Sequence, residues 1–421
     1  MFTIIITVVA TLLVVSIGLM LFRKPEKDIQ HAVAHAYALH DPVFQRVMGV
    51  LMGPAILPGN RLQPLQNGDE IFPAMLEAIR GARRSITFET YIYWSGKIGE
   101  QFATALEERA RAGVKVHIIL DWAGSAKMDG KIIQALRAAG AEVNRYHPLR
   151  WYHIRRLNNR THRKLLVVDG TIGFTGGVGI ADEWQGHAQD TDHWRDMHFK
   201  VEGPVVAEMQ AAFQDNWIKT SGTVLHGEDY FPQLPPAGDH RMHLFVSSPE
   251  GGSASMHLMY LLSIAAVERS LDISAAYFIP DELMRDALIA ARARGVRIRV
   301  VLPDKCTDSA MVRIASKQSW GPLLANGVEF HTYDATMFHC KMLILDSEMV
   351  SVGSTNFDMR SFELNDEASL NIYDATVAAQ MTKVYETDLQ RATPFTLQMW
   401  KERPWTEKLS ERVIAPIRAQ L

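Results

Sequence analysis

The sequence predicts an α/β protein built from two similar domains, each a largely parallel or mixed sheet flanked by helices. A transmembrane helix precedes them. Three observations carry this prediction. A strand-helix-strand pattern occurs twice, the string His-x-Lys-x-x-x-x-Asp occurs twice at matching places within it, and the chain opens on a long apolar run. About 0.05 chance matches to that string are expected in a chain of this length, so the pair is not accidental.

The first segment, 1–27, holds Phe2–Phe22, an uncharged apolar stretch followed by Arg23, Lys24 and Lys27. A run of about 20 apolar residues spans a bilayer as a helix. Its start lacks the basic residues of a cleavable signal, and it is longer than one. The sequence therefore predicts an uncleaved, single-pass anchor in the cell membrane. Positive charge on its C-terminal flank predicts a cytoplasmic catalytic portion. Residues 28–65 read as a juxtamembrane segment with an apolar patch at Val47–Met52, ended by Gly53-Pro54 and Pro58-Gly59. That patch suits either the membrane surface or the protein's own body.

Residues 66–222 and 241–393 read as the two domains, joined by a Pro- and Gly-rich linker over 223–240. Ser85–Ile92 and Ser270–Tyr277 alternate like strands, and each leads to a helix-period segment closed by Gly113 or Gly295. Apolar strands follow at Val114–Leu120 and Val296–Leu302, then a second helix and a strand opened by Gly140 or Gly327. Strand alternating with helix is the signature of parallel βαβ units. The last segment, 394–421, reads as a helix, with Trp405, Leu409, Val413 and Ile414 on one stripe. Such a stripe usually packs on the protein's own body.

The repeated string is His162-x-Lys164-x-x-x-x-Asp169 and His339-x-Lys341-x-x-x-x-Asp346. Two residues apart on a strand, His and Lys project to one side. A neutral imidazole beside an ammonium places a nucleophile or acid next to an anion-binding charge. Asp169-Gly170 and Asp346-Ser347 sit between apolar runs as hairpin turns, where an Asp commonly secures the turn. The hairpin returns Gly176-Gly177 and Gly353-Ser354 beside His and Lys, and residues that small let backbone N–H groups approach a phosphate. Asp196 and Glu367 occupy matching positions after each motif and are candidates to orient the histidines, though the pairing is open.

These residues resemble the phospholipase D superfamily, over about Asn67 to Thr393. Pro58-Gly59-Asn60, Asn67–Glu70, Phe174–Gly177 and Asn356–Phe362 resemble its bacterial cardiolipin synthase branch. The resemblance implies one active site shared by the two domains, and a phosphatidyltransferase that joins two phosphatidylglycerols through a phosphatidyl-histidine. In it His162, Lys164, Asp169, His339, Lys341 and Asp346 form the catalytic set, supported by Asp196, Glu367, Asn356, Gly177 and Ser354. His162 would attack phosphorus and His339 would serve as acid and base. The family's Asn appears as Asn356 in the second copy, but Gly179 replaces it in the first, so the halves are not equivalent.

A hydrolase or transphosphatidylase with water or another alcohol as acceptor, and a non-catalytic membrane scaffold, are the competing functions. A scaffold has no need of both His-x-Lys pairs. The net charge of -3 gives no footprint for nucleic acid. Neither a zinc-type Cys/His cluster nor an acidic metal loop is visible, so no metal or other cofactor is expected. Cys306 and Cys340, the only cysteines, read as small apolar residues. Arg150–Arg160 mixes cations with aromatics just before the first motif and suits either a grip on anionic lipid headgroups or a solvated loop.

Overall fold

The computed structural model describes residues 6–8, 11, 29, 31–148, 159–249 and 254–415. The expected anchor and its basic flank lie almost wholly outside these residues, as do Arg150–Asn158. Among the described residues no helix is long and apolar enough to cross a membrane.

The first half contributes β1 (Leu57–Gln66), β2 (Ser85–Thr90), β3 (Lys115–Asp121), β4 (Glu142–Tyr146), β5 (Arg160–Thr161), β6 (Leu165–Val168), β7 (Ile172–Gly176) and β8 (Met197–Glu202). The second contributes β9 (His240–Ser247), β10 (Ser270–Ala275), β11 (Phe278–Ile279), β12 (Arg297–Pro303), β13 (Glu329–Tyr333), β14 (Lys341–Leu345), β15 (Met349–Gly353), β16 (Phe357–Asp358), β17 (Asn365–Tyr373) and β18 (Thr393–Phe395). Nearly all join one sheet. Its first half runs β1-β8-β7-β6-β2-β3-β4, and its second runs β9-β17-β15-β14-β10-β12-β13 before β18. The two paths match strand for strand, and antiparallel pairing of β1 with β9 fuses them.

Of the two expected forms, largely parallel or mixed, the sheet takes the mixed one. Along its main path β2, β3 and β4, and β10, β12 and β13, run parallel, and β5 pairs parallel with β17 off that path. Helical crossovers at Lys97–Arg111 and Gly130–Ala138, and at Glu282–Ala293 and Ala310–Ala325, separate those strands. The motif strands β6 and β14 instead turn straight back into β7 and β15, and so short a turn enforces antiparallel pairing. Residues of β2 are buried on both faces, as a central strand covered by helices requires.

β1 is a correction, because it lies in the stretch expected to be juxtamembrane. Pro58, Gly59 and Pro64 argue against a strand by composition. Here the β1–β9 register shifts between Leu57 and Asn60, and Gly59 takes φ 86°, so the proline falls at an irregularity instead of a regular ladder position. Of the Val47–Met52 patch, Met48 is buried in the second-half core while Val50 and Leu51 are exposed. The expected single C-terminal helix is two, Leu397–Lys401 and Trp405–Ile414, with Pro404 at the break.

Each half has its own core, and a third cluster spans both. In it Leu165, Val167, Phe199 and Val201 meet Met242, Leu244, Met342 and Leu370. Each such side chain contributes about 1.5–3 kcal/mol on burial, so the seam is a true interior. Cys340 is buried there, as its neighbours on the strand dictate.

Candidate active site

Both His-x-Lys pairs sit where their strands begin, at β6 and β14, facing the seam. Each histidine is tied by its backbone to the opposite half. The His162 N–H donates to the Asp366 carbonyl at 2.9 Å, and the His339 N–H donates to the Arg195 carbonyl at 2.8 Å. The next residue in each case is the candidate carboxylate. Glu367 therefore meets His162, with Oε1 and Oε2 at 2.9 and 3.1 Å from Nδ1. Asp196 meets His339, with Oδ2 at 2.7 Å from Nδ1. The pairing left open by the sequence is thus crosswise.

Burial would raise both carboxylates, but the facing imidazoles and the lysines hold Asp196 and Glu367 below the usual range. An ionised carboxylate on Nδ1 fixes the proton there and turns Nε2 toward a ligand. The two acids are secured differently. Glu367 accepts from the Ser354 hydroxyl. Asp196 accepts from Trp184 Nε1 at 2.9 Å and from the Met197 N–H at 2.8 Å. Gly177 occupies the position equivalent to Ser354, and a Cβ there would lie 2.2 Å from Asp196 Oδ1. These small residues make room for carboxylates. The Gly177 and Ser354 amides already donate to Met197 and Ala368, which corrects the expectation that they approach a phosphate.

A cleft of about 560 Å³ opens over both histidines. Lys164, Asn356, Arg160 and Arg360 share its wall. Burial and the nearby Lys341 push Lys164 down to about 7, and burial lowers Lys341 as well. Burial pushes His162 down to about 4 against the pull of Glu367, so its imidazole is neutral. Burial and Lys341 also lower His339. Each lysine Nζ donates to the carbonyl of its own motif histidine, Lys164 at 2.8 Å and Lys341 at 2.7 Å, and Lys341 Nζ also lies 3.1 Å from His339 Nδ1 and 3.2 Å from Nε2. An anion between the two lysines is the natural ligand of such a site, since it restores their charge.

Asn356 lines the cleft, and its buried Oδ1 has no hydrogen-bond partner. Gly179 cannot be replaced in kind. A Cβ there would come within 2.8 Å of Ile92 Cβ and 3.1 Å of Trp184, so the first half fills that space with apolar side chains. The halves differ as the sequence implied.

Asp169 and Asp346 are elsewhere, and their inclusion in a reacting set is corrected by their position. Neither lines the cleft. Each takes a left-handed φ, 52° and 51°, in the turn at the far end of its motif strand. Asp169 accepts backbone N–H groups from Arg83, Arg84 and Ser85 at 2.7–3.1 Å. Asp346 accepts from Glu268, Arg269 and Ser270 at 2.7–2.8 Å. Each Asp therefore pins its hairpin to the start of β2 or β10.

Sequence reasoning missed part of the wall. Tyr91 lies 5.2 Å from the His162 ring, Trp184 lies 5.3 Å from the His339 ring, and Tyr277 donates to Asp308 at 2.6 Å at the rim. Tyr91 and Tyr277 end the β2 and β10 runs, where ligands of α/β sheets gather. That was the available signal. Among the described residues no group of three or more His, Cys, Asp and Glu is placed to hold a metal ion.

The family described as "Cardiolipin synthase, PLD-like domain" matches residues 75–217 and again 260–389. A probable cardiolipin synthase of Bacillus subtilis (strain 168) is 33% identical over 335 residues, covering 79% of this chain and 67% of that protein. The major cardiolipin synthase of the same organism is 33% identical over 364 residues, covering 85% of this chain and 75% of its own. Among solved structures, phosphatidylserine synthase of Haemophilus influenzae Rd KW20 is alike with a TM-score of 0.71 at 13% identity, covering 90% of this chain and 100% of that one. That likeness is one of fold.

Proposed function

The chain belongs to the cardiolipin synthase family of phospholipase D-like phosphatidyltransferases, and we propose that it joins two phosphatidylglycerols through a histidine-bound intermediate. The observation that carries the mechanism is the crosswise contact of each catalytic imidazole with a carboxylate of the other half.

In this reading His162 Nε2 attacks phosphorus. A P–N bond forms, the P–O bond to the glycerol headgroup breaks, and the leaving oxygen takes a proton from His339. The hydroxyl of a second phosphatidylglycerol then gives its proton to His339 and attacks phosphorus, releasing His162 and completing cardiolipin. A neutral His162 suits the nucleophile. The contact of Lys341 with the His339 ring suits the residue that exchanges protons. Asp196 and the bound phosphodiester favour the proton on His339 against burial and Lys341. Lys164 and Lys341 neutralise the phosphate, and Asn356 donates to it.

The same reading places the protein at the cell membrane, held by Phe2–Phe22, with the cleft on the cytoplasmic side where Arg23, Lys24 and Lys27 lie. A lipid substrate and a net charge of -3 give nucleic acid no part in it. Purified protein given phosphatidylglycerol in vesicles is expected to release cardiolipin and glycerol in equal amounts. Dominant phosphatidic acid, with no reversal by added glycerol, would make water the acceptor.

A further inference from the structure

The helix Trp405–Ile414 is amphipathic in an inverted sense. Its acidic residues face the protein, and its apolar stripe faces out. Glu411 accepts from Arg403 at 2.8 and 2.9 Å, and Glu407 lies 3.6 Å from Arg313. Ile414 is 9% exposed, but Trp405, Leu409 and Val413 are 73%, 51% and 71% exposed. Spaced four apart, these three form one stripe along the helix. Only Ile414 of the predicted stripe packs on the body, which corrects that expectation. Lys401, Lys408 and Arg412 are exposed beside it. An isolated apolar residue on a surface is ordinary, but a row of three bordered by cations, with Glu407 and Glu411 turned inward and Glu402 exposed just before the helix, is not.

The helix is also close to the cleft. Ile414 packs with Ile279, Val312 and Ala315 in a cluster against which Tyr277 lies, and Tyr277 walls the cleft. We propose that the outward face of the Trp405–Ile414 helix docks on an anionic lipid bilayer and sets the cleft at headgroup depth. Trp, Leu and Val enter the boundary between headgroups and acyl chains while Lys401, Lys408 and Arg412 meet lipid phosphates. Charge complementarity selects this occupant over a basic or uncharged one. The inference rests on the lipid-substrate reading above.

The test uses the full chain and two substrates: long-chain phosphatidylglycerol in vesicles with phosphatidylcholine, and short-chain phosphatidylglycerol dissolved as monomers. The triple variant Trp405→Gln, Leu409→Gln, Val413→Gln keeps good helix formers. Its vesicle rate is expected to fall about 10-fold, with the monomer rate unchanged. Lys408→Gln with Arg412→Gln is expected to slow the vesicle reaction most at low salt. Unchanged vesicle rates, equal losses on both substrates, or loss of a dimer in the triple variant by light scattering would each overturn the proposal. The unaltered chain making no cardiolipin in either arm would overturn the underlying reading instead.

Discussion

Glu367 in the second half holds Nδ1 of His162 in the first at 2.9 Å, and the relationship is reciprocated by Asp196 and His339 at 2.7 Å. Neither half contains an oriented imidazole by itself. The β1–β9 seam and the core shared across it are therefore part of the chemistry, because they fix two carboxylate–imidazole distances at once. Lengthening either hydrogen bond by a slip at the seam would misdirect Nε2, and small misplacements of a nucleophile are costly.

The crosswise pairing predicts distinct phenotypes for two conservative variants. Glu367→Gln and Asp196→Asn keep shape but lose the charge that fixes each tautomer, and kcat is expected to fall ~10²–10⁴-fold in both. They separate on a phosphatidyl ester with a p-nitrophenol leaving group, which departs without help from an acid. Asp196→Asn and His339→Ala are expected to keep a p-nitrophenol burst and leave a phosphatidyl adduct on His162. Glu367→Gln is expected to lose most of the burst, and His162→Ala all of it. An adduct mapped to His339 would reverse the roles.

The unequal halves predict that Asn356→Ala costs ~10²-fold or more in kcat, the scale for one donor to a developing oxyanion, with little change in melting temperature. Gly179→Ala belongs to another class. Its methyl group would crowd Ile92 and Trp184, so a loss of ~1–3 kcal/mol in stability by overpacking is expected first. Equal kinetic effects with equal stabilities would remove Asn356 from the phosphate.

The motif carboxylates give a separable prediction. Asp346→Ala orphans three backbone N–H groups at the start of β10, each worth about 1–3 kcal/mol when left unsatisfied. Asp169→Ala does the same at β2. Thermal denaturation is expected to show a loss in each case, larger for Asp346→Ala because the bonds from Arg83 and Arg84 to Asp169 are exposed to water, while kcat per folded molecule holds. Asp346→Asn, which tolerates the left-handed turn, should be milder. A selective loss of kcat at unchanged stability would return these residues to the reaction.

Much of this was legible in the sequence. The twin motifs named both histidines and both lysines, and the matched offsets named Asp196 and Glu367. Asp169-Gly170 and Asp346-Ser347 announced hairpins through residues that accept left-handed φ. What the sequence could not carry was anything set by the seam. Pro58 and Pro64 hid β1, which fuses the two halves of the sheet, and the two-residue β5, whose pairing with β17 sets His162 beside Asp366, is too short to read from sequence. The Trp184 contact with Asp196 was equally hidden, since a tryptophan twelve residues upstream of an acid has no local signature. The small residues after each motif were visible, but their role was set by a carboxylate on the next strand. The apolar stripe at Trp405 could be read, but not its outward turn, which depends on the Arg403–Glu411 and Arg313–Glu407 ion pairs.

The pH profile offers the last prediction. Burial depresses His162 to about 4 and, together with Lys341, depresses Lys164 to about 7. Reaction requires a neutral His162 and a charged Lys164. As pH rises through the lower value His162 loses its proton and kcat/KM climbs; as pH passes the higher value Lys164 loses its charge and kcat/KM declines. The limbs belong to the coupled cluster, not to single residues. The profile of kcat, which reports the loaded site, is expected to have its basic limb displaced upward, because a bound phosphodiester favours the ammonium. Lys164→Arg, whatever its cost in rate, should erase the basic limb, since a guanidinium keeps its proton throughout. The sign for stability follows from the same depression of His162. An unfolded histidine binds protons near 6.5 and the folded one does not, so stability is intact above that value and declines as pH falls from there toward 4. His162→Gln should flatten that decline. A basic limb that survives in Lys164→Arg would assign it to another group, with Lys341 the first to examine.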